Sequence, residues 1–386
     1  MRKRICIVTG SRAEYGLFYP LLIKISNDGE FELQIIATGM HLSPEFGLTY
    51  REIQKDGFTI NEKIEMLLST DTEIGGAKSV GLGVISFADA LNRLKPDLII
   101  LLGDRFEIFS SAIAAFMMNI PIAHIHGGEL TEGSLDDAIR HSITKMSFLH
   151  FVSTEEYRKR VIQLGEEPGR VFTTGSLGID NINDMELLTK HELEKELRFE
   201  FGYRSILVTF HPVTLESDRE GSQFRELLGA IDYFKEAKII FTKPNADPHG
   251  RVIIKLIDEF TARSPDRAVV FTSLGELKYL SAIQYVDVVV GNSSSGIIEV
   301  PSFGKPTVNI GDRQKGRTKA KSIVDCRPKK EDIIRALKKA FSPQFRNFCK
   351  TVENPYGDGN SAKRIIRVLK EQVTKIKNTK KRFYDL

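Results

Sequence analysis

The sequence predicts an α/β protein made of two doubly wound, Rossmann-like domains, each built on its own parallel sheet. Three observations lead there. Short β-branched runs, most of them ending in a small or polar residue, alternate with longer segments of helical period. Within the runs apolar residues are nearly continuous rather than alternating, as expected of strands covered by helices on both faces. The runs also form two series along 386 residues, a length suited to two domains of roughly 150–200 residues each.

The first series is residues 4–10, 32–39, 97–104, 121–128, 149–154 and 171–178; the second is 205–212, 237–245, 268–275, 286–292, 306–312 and 322–326. We expect an N-terminal domain over 1–178 and a C-terminal one over 179–361, with a helical stretch at about 362–386 packing back on the first. Facing sheets would share a central cleft. Ligands of such sheets bind beyond the carboxyl ends of the strands, where strand order reverses, so residues just after the strands are the candidates. No G-x-G-x-x-G follows the first strand and no G-x-x-x-x-G-K-[ST] occurs, which removes the usual cradles for a nicotinamide cofactor and for a nucleoside triphosphate.

Composition narrows the class. Hydrophobic residues make up 41% and charged ones 27%, the profile of a folded soluble chain. With 55 basic and 51 acidic residues, the net charge of +4 lacks the basic excess of a nucleic-acid binder. The basic run 375–382 reads as a solvated helix face. Cys6, Cys326 and Cys349 have no metal-ligand spacing, and Cys6 sits in an apolar strand as an inert thiol. The opening MRKRICIVTGSR is a strand rather than an export signal, and no apolar stretch approaches the roughly 18 residues of a membrane helix, so a cytoplasmic, non-membrane protein is expected.

The strongest motif is Gly291-Asn292-Ser293-Ser294-Ser295-Gly296, which follows an apolar run and opens a helical stretch. Amides at a helix start and three small hydroxyls suit a diphosphate, although a Ser N-cap alone would also look like this. Glu299 follows within a turn and can accept two ribose hydroxyls. Arg313, bracketed by Gly311 and Gly316 after a strand, can fork onto phosphate oxygens.

In the first domain Asp104 and Arg105 end an apolar strand, His124-Ile125-His126-Gly127-Gly128-Glu129 ends the next, and Asp136, Arg140 and His141 share a helical segment. Carboxylates and histidines converging from neighbouring strand ends can divide acid and base roles. His124, deeper in its strand than His126, reads as a satisfied core histidine, and Asp104 could be no more than an N-cap. Neither H-E-x-x-H nor a repeated carboxylate spacing is present, so no metal is expected. Arg12, His41, His211 and Asn245 stand singly at further strand ends.

These residues together closely resemble the hydrolysing UDP-N-acetylglucosamine 2-epimerases, the bacterial enzymes of sialic and legionaminic acid synthesis among them. The resemblance runs from Thr9-Gly10-Ser11-Arg12-Ala13-Glu14-Tyr15-Gly16 through Gly39-Met40-His41-Leu42, Gly103-Asp104-Arg105, residues 124–129 and 139–145, His211-Pro212, and 292–296 with 311–317. It covers nearly the whole chain. Ala13, where the non-hydrolysing relatives carry Pro, favours the hydrolysing branch. The resemblance implies a GT-B fold, anti elimination of UDP to a 2-acetamidoglycal, then syn hydration to a free 2-acetamido mannose-type sugar, with no cofactor. It also implies a homodimer or homotetramer.

By position the resemblance makes Asp104 and Asp136 catalytic. It makes Arg12, His211, Ser293, Ser294, Glu299 and Arg313 nucleotide-binding, and Asn245 a wall of the site. Ser295, Gly296, His41, Arg105 and Arg140 complete the expected binding set, and His211 is also a catalytic candidate. Some relatives carry a catalytic Glu near His126, so the acid/base is either His126 or Glu129. The substrate is UDP-N-acetylglucosamine or UDP-N,N′-diacetylbacillosamine, the stretch 130–133 being somewhat like the legionaminic branch. A GT-B glycosyltransferase and a catalytically dead sugar-nucleotide sensor are the readings from other classes.

Overall fold

The computed structural model describes residues 2–68, 72–131, 135–211, 220–244, 250–376 and 379–386. Asn245, Glu132 and Gly133 lie outside the described residues. The chain divides into two compact units, Met1–Asn183 with Tyr356–Leu386, and Asp184–Pro355.

The first unit holds β1 (Lys3–Thr9), β2 (Phe31–Thr38), β3 (Glu62–Ile64), β4 (Leu98–Leu102), β5 (Ile122–Ile125), β6 (Leu149–Val152) and β7 (Val171–Thr173). They form one parallel sheet in the order β3-β2-β1-β4-β5-β6-β7. The second unit holds β8 (Arg204–Thr209), β9 (Ala237–Thr242), β10 (Ala268–Phe271), β11 (Val288–Gly291), β12 (Thr307–Ile310) and β13 (Ile323–Cys326). Their order, β10-β9-β8-β11-β12-β13, is again parallel. Both are the doubly wound Rossmann-like pattern, with strand order reversing beside β1 and β4 in one sheet and beside β8 and β11 in the other.

The continuous apolar runs have a direct cause. Ile5 and Ile7 enter one core of the first unit while Cys6 and Val8 enter a second core on the other face of the sheet. Burial also pushes the Cys6 thiol well above its ordinary pKa, leaving it inert. Strand β3 escapes sequence reading because Glu-Lys-Ile has no apolar run; it is a three-residue edge strand held by Thr38 Oγ1 donating to the Ile64 carbonyl (2.7 Å).

The first unit takes the chain back because the helix Ser361–Gln372 is strongly amphipathic. Ala362, Ile365, Val368 and Leu369 share the core containing Phe18, Leu21, Leu22 and Ile25 of the helix Arg12–Ser26. Its first turn is capped by Asp180, whose carboxylate accepts from the amides of Ser361 (2.8 Å) and Ala362 (2.7 Å). Asp180 belongs to the helix Leu177–Asp184, which carries the unit past residue 178.

Two expectations need correction. The basic run 375–382 is not simply a solvated helix face: regular helix ends at Gln372, and Lys381 reaches Glu166 (2.7 Å) and the carbonyls of Lys145 and Ser147. The helix Glu73–Leu94 is, by length and composition alone, long and apolar enough to cross a membrane. Isolated Gly and Ser residues hide that length from a run-based reading. Its inner face, through Ser79, Gly83, Phe87 and Leu91, is buried within the first unit.

Candidate active site

Polar residues gather at the carboxyl rim of the first sheet because β4 and β5 end there and the helix Leu135–Met146 lies alongside. Arg140, almost fully buried, organises them. Its Nη2 meets the Asp104 carboxylate and donates to Thr131 Oγ1 (3.0 Å), while Nη1 donates to the Glu129 carbonyl (2.8 Å). Arg140 is therefore turned inward as a positioning residue, which corrects its assignment to ligand binding. Asp104 does not cap the following helix, since Arg105 is the N-cap. Burial raises the Asp104 pKa, with Asp136 and Glu129 adding to the rise and Arg140 opposing it.

The next strand turns sharply at His126, whose φ of +68° is one of the few left-handed non-glycine conformations described. That strain aims its ring at Glu129: Nδ1 lies 3.1 Å from Glu129 Oε1, which also accepts from Ser153 Oγ (3.1 Å). His126 Nε2 is buried and has no hydrogen-bond partner among the described residues. An imidazole held at one nitrogen by a carboxylate and open at the other has the layout of an acid/base. Asp136 stands on an exposed part of the neighbouring helix. Asp137, which sequence reading passed over, accepts from the Thr131 amide (2.7 Å) and pairs with Arg140 and His141.

His124 is the satisfied core histidine expected, bonded to Thr144 Oγ1 and the Gly103 carbonyl; burial pushes its pKa down to about 3. His41 proves to be another, which corrects its assignment to substrate binding. It is fully buried between Thr9 Oγ1 (3.0 Å) and Thr49 Oγ1 (2.8 Å), with its pKa pushed down to about 4 by burial.

Arg105, its side chain partly exposed, pairs with two buried carboxyls. Its Nε lies 2.8 Å from Glu107 Oε1 and 3.9 Å from Glu14 Oε1. Sequence reading missed these two buried carboxyls. The available signal was a glycine at each of two strand ends: a Cβ on Gly10 or Gly39 would fall within 3 Å of the Glu107 side chain.

Burial, reinforced by Glu107, raises Glu14 to about pH 8, against the Gly10 N–H and Arg105, which favour its charge; Asp104 adds to the rise. The folded state therefore holds this proton more tightly than the unfolded chain, and stability falls as pH rises from about 4.5 to about 8. Glu14→Gln keeps an acceptor for Gly10 and removes the cost of ionisation. We expect its melting temperature to gain on that of the parent across this window. A constant difference from pH 5 to pH 8 would refute the assignment.

In the second unit β11 ends at Gly291, whose φ of +142° turns the chain where a Cβ would lie 1.8 Å from the Thr209 carbonyl. Asn292 then ties the loop to β8: its side chain accepts from the His211 amide (2.7 Å) and donates to the His211 carbonyl (2.8 Å). This places His211 beside the serines. Arg313 Nη1 and Gln314 Nε2 both donate to the Asn292 carbonyl, at 3.1 and 2.9 Å. The exposed Arg313 head thus stands at the serine loop, while Asn292 and the buried Gln314 had been given no role.

The short helix Ser295–Ile298 follows. Among the described residues no backbone carbonyl receives the amides of Ser293 and Ser294, so the loop keeps donors for an anion. Gly296 lets Thr307 pack against the turn, and burial raises the pKa of Glu299. Arg12 begins its helix with a half-exposed side chain 4.0 Å from Glu52. Among the described residues no group of three or more His, Cys, Asp or Glu is arranged to hold a metal ion.

Comparison with known proteins gives a consistent result. The model of a family described as UDP-N-acetylglucosamine 2-epimerase matches residues 23–370. The chain is 46% identical over 345 residues to the hydrolysing GDP/UDP-N,N′-diacetylbacillosamine 2-epimerase of Campylobacter jejuni, covering 89% of each chain. It is 41% identical over 388 residues to polysialic acid biosynthesis protein P7 of Escherichia coli, covering 100% of this chain and 98% of that one. Among solved structures, UDP-GlcNAc 2-epimerase from Neisseria meningitidis bound to UDP-GlcNAc superposes with a TM-score of 0.82 at 18% identity, over 96% of this chain and 100% of the other. That likeness speaks to the fold alone, the GT-B class that the family resemblance implied.

Proposed function

Because the chain belongs to the UDP-N-acetylglucosamine 2-epimerase family, in its hydrolysing branch, we propose that it converts a UDP-linked 2-acetamido sugar into UDP and the free sugar inverted at C2. The observation that carries the reading is His126, fixed through Nδ1 on Glu129 with Nε2 unpaired among the described residues, on the same rim as the Arg140-held Asp104.

In the first half-reaction a base takes the C2 proton, the C1–O bond breaks, and its electron pair leaves on the UDP phosphate. In the second, water adds hydroxyl to C1 of the glycal and a proton returns to C2 on the opposite face. His126 Nε2 and the Asp104 carboxylate exchange these protons, assisted by Asp136; Glu129 holds the His126 tautomer. Ser293, Ser294, Ser295, Gly296 and Arg313 hold the diphosphate, with Arg12 adding positive charge, Glu299 accepting the ribose hydroxyls and His211 placed beside the serines. The enzyme works in the cytoplasm without a metal or a nicotinamide.

The sugar is UDP-N-acetylglucosamine in the first reading. The second, UDP-N,N′-diacetylbacillosamine, is favoured by the substrate named for the Campylobacter jejuni relative and for a Legionella pneumophila relative 34% identical over 371 residues. Each UDP sugar, incubated in D₂O with no acceptor, separates the readings by mass spectrometry. UDP release with one deuterium at C2 of one product sugar is expected, and turnover only when an acceptor is supplied would make the protein a transferase. His126→Ala is expected to lower kcat about 10²- to 10³-fold, and Glu129→Gln less, with a displaced pH profile. An unchanged rate in His126→Ala would remove His126 from the mechanism.

A further inference from the structure

Residues 379–386 belong to no regular helix or strand, yet they are pinned onto the first unit. The Tyr384 N–H donates to the Gly165 carbonyl (3.0 Å). Gly165, at a φ of +85°, leaves room for the Phe383 ring, which a Cβ there would overlap. Just before these anchors the part-buried Lys381 turns in. Its Nζ donates to Glu166 Oε2 and to the carbonyls of Lys145 and Ser147, each at 2.7 Å.

Those two carbonyls lie at the C-terminal end of the helix Leu135–Met146. A helix leaves its last carbonyls without internal partners and carries partial negative charge there. A nearby lysine often supplies the missing donor; here it comes from 236 residues along the chain. The same turn is gripped at two further points. Thr144 Oγ1 lies 3.2 Å from His124 Nδ1, and Lys145 Nζ donates to Glu166 Oε1 (2.6 Å). Glu166 Oε2 also lies 3.0 Å from Nε2 of His150, the register partner of His124 across β5 and β6. Glu166 and His150 are both buried. One buried carboxylate thus joins the segment, the sheet and the end of the helix.

The other end of that helix carries the site. Asp136 stands in its first turn, and Arg140, which meets Asp104 and donates to the Glu129 carbonyl, precedes Lys145 by about 7.5 Å of helix. We propose that Lys381 is a positioning residue of the active site: by closing the far end of this helix on Glu166, it fixes where Arg140 holds Asp104. The inference rests on the proton transfer proposed above. Packing alone is served as well by apolar side chains, because an ion pair drawn out of water returns little net stability. What an ammonium with three acceptors adds is a defined position, and a misplacement of about 1 Å in a site can cost on the order of 10²-fold in rate.

Steady-state kinetics of the full chain on both UDP sugars, read beside hydrogen exchange, test this. Lys381→Met is expected to lower kcat about 10- to 100-fold while UDP binding, assigned to the other unit, stays unchanged. Lys381→Arg keeps the charge and has donors for all three acceptors, so it restores most of the rate. Arg140 opposes the rise in the Asp104 pKa, to which Asp136 and Glu129 add, so a displaced Arg140 moves the acid limb of kcat/KM to higher pH. Loss of folded protein alone lowers the rate without moving that limb. Amides of residues 139–146 should exchange at least about tenfold faster in Lys381→Met. Phe383→Ala, which loosens the segment and leaves Lys381 in place, gives a smaller change in the same direction. An unmoved acid limb in Lys381→Met, unchanged exchange, or a Lys381→Arg variant as slow as Lys381→Met overturns the proposal. If the parent turns over neither sugar, it is the catalytic reading that fails, and exchange alone decides whether Lys381 fixes this helix.

Discussion

Asp104→Asn is expected to lower kcat by about 10³-fold, within the range that a positioned proton carrier contributes. The reason lies in what the substitution keeps. An amide still offers Arg140 one acceptor oxygen, so the guanidinium stays paired and the rim keeps its shape. What is lost is the exchangeable proton. Because burial raises the Asp104 pKa, its titration belongs to the acid limb of kcat/KM, and that limb should flatten in the variant. Binding of UDP, assigned to the serine loop of the other unit, should change little. Steady-state kinetics from pH 5 to pH 9 together with UDP calorimetry make the check. A small loss of kcat with greatly weakened UDP binding would mean that Asp104 supports the nucleotide instead. Arg140→Ala differs in kind: it leaves Asp104 and the Glu129 carbonyl without their buried donor, so it should cost stability as well as rate.

Gly291→Ala is expected to be the most damaging single methyl group in the second unit, destabilising it by about 3–5 kcal/mol. Two costs coincide. A φ of +142° is open to glycine and strained for alanine. The new Cβ would also lie 1.8 Å from the Thr209 carbonyl, backbone that is locked in the β8–β11 ladder and cannot swing aside. Relief requires moving the end of β11, and with it Asn292, His211 and the serines. Denaturant unfolding should show the lost stability, and calorimetry should show UDP bound at least about tenfold more weakly by whatever folds. A variant as stable as the parent, with normal UDP affinity, would disprove this account of the loop.

Much of the architecture was legible in the sequence because its causes are local. Val288, Val289 and Val290 make a strand buried on both faces in any context, and the small residues after them announce a turn that something must approach closely. Asp104, His126 and Glu129 could be singled out because a polar residue directly after such a strand has few structural reasons to be there. Strand β3 was illegible because its three residues pair only through their neighbours. The helix Glu73–Leu94 was misjudged for a related reason: interspersed glycines and serines break its apolar run in the sequence but not on the helix surface.

Which polar residues point outward and which turn in was decided by the tertiary structure. His41 and Arg105 look like Arg12 and Arg313 in the sequence, a basic or imidazole side chain at or near the end of an apolar strand, and Arg140 looks like any basic residue of an amphipathic helix. The fold sets Thr9 and Thr49 around the first, Glu14 and Glu107 around the second, and Asp104 with the Glu129 carbonyl around the third. Some of these partners are near in sequence, Glu107 two residues from Arg105 and Thr49 eight from His41, but Thr9, Glu14 and Asp104 are brought in from other elements of the fold. The sequence by itself determined two parallel sheets, the rims where chemistry can sit and the family; only folding decided which of the rim residues stay available to a ligand. The physical reason is that strand propensity depends on near neighbours, whereas the protonation and orientation of a buried side chain depend on every charge and donor that packing brings against it.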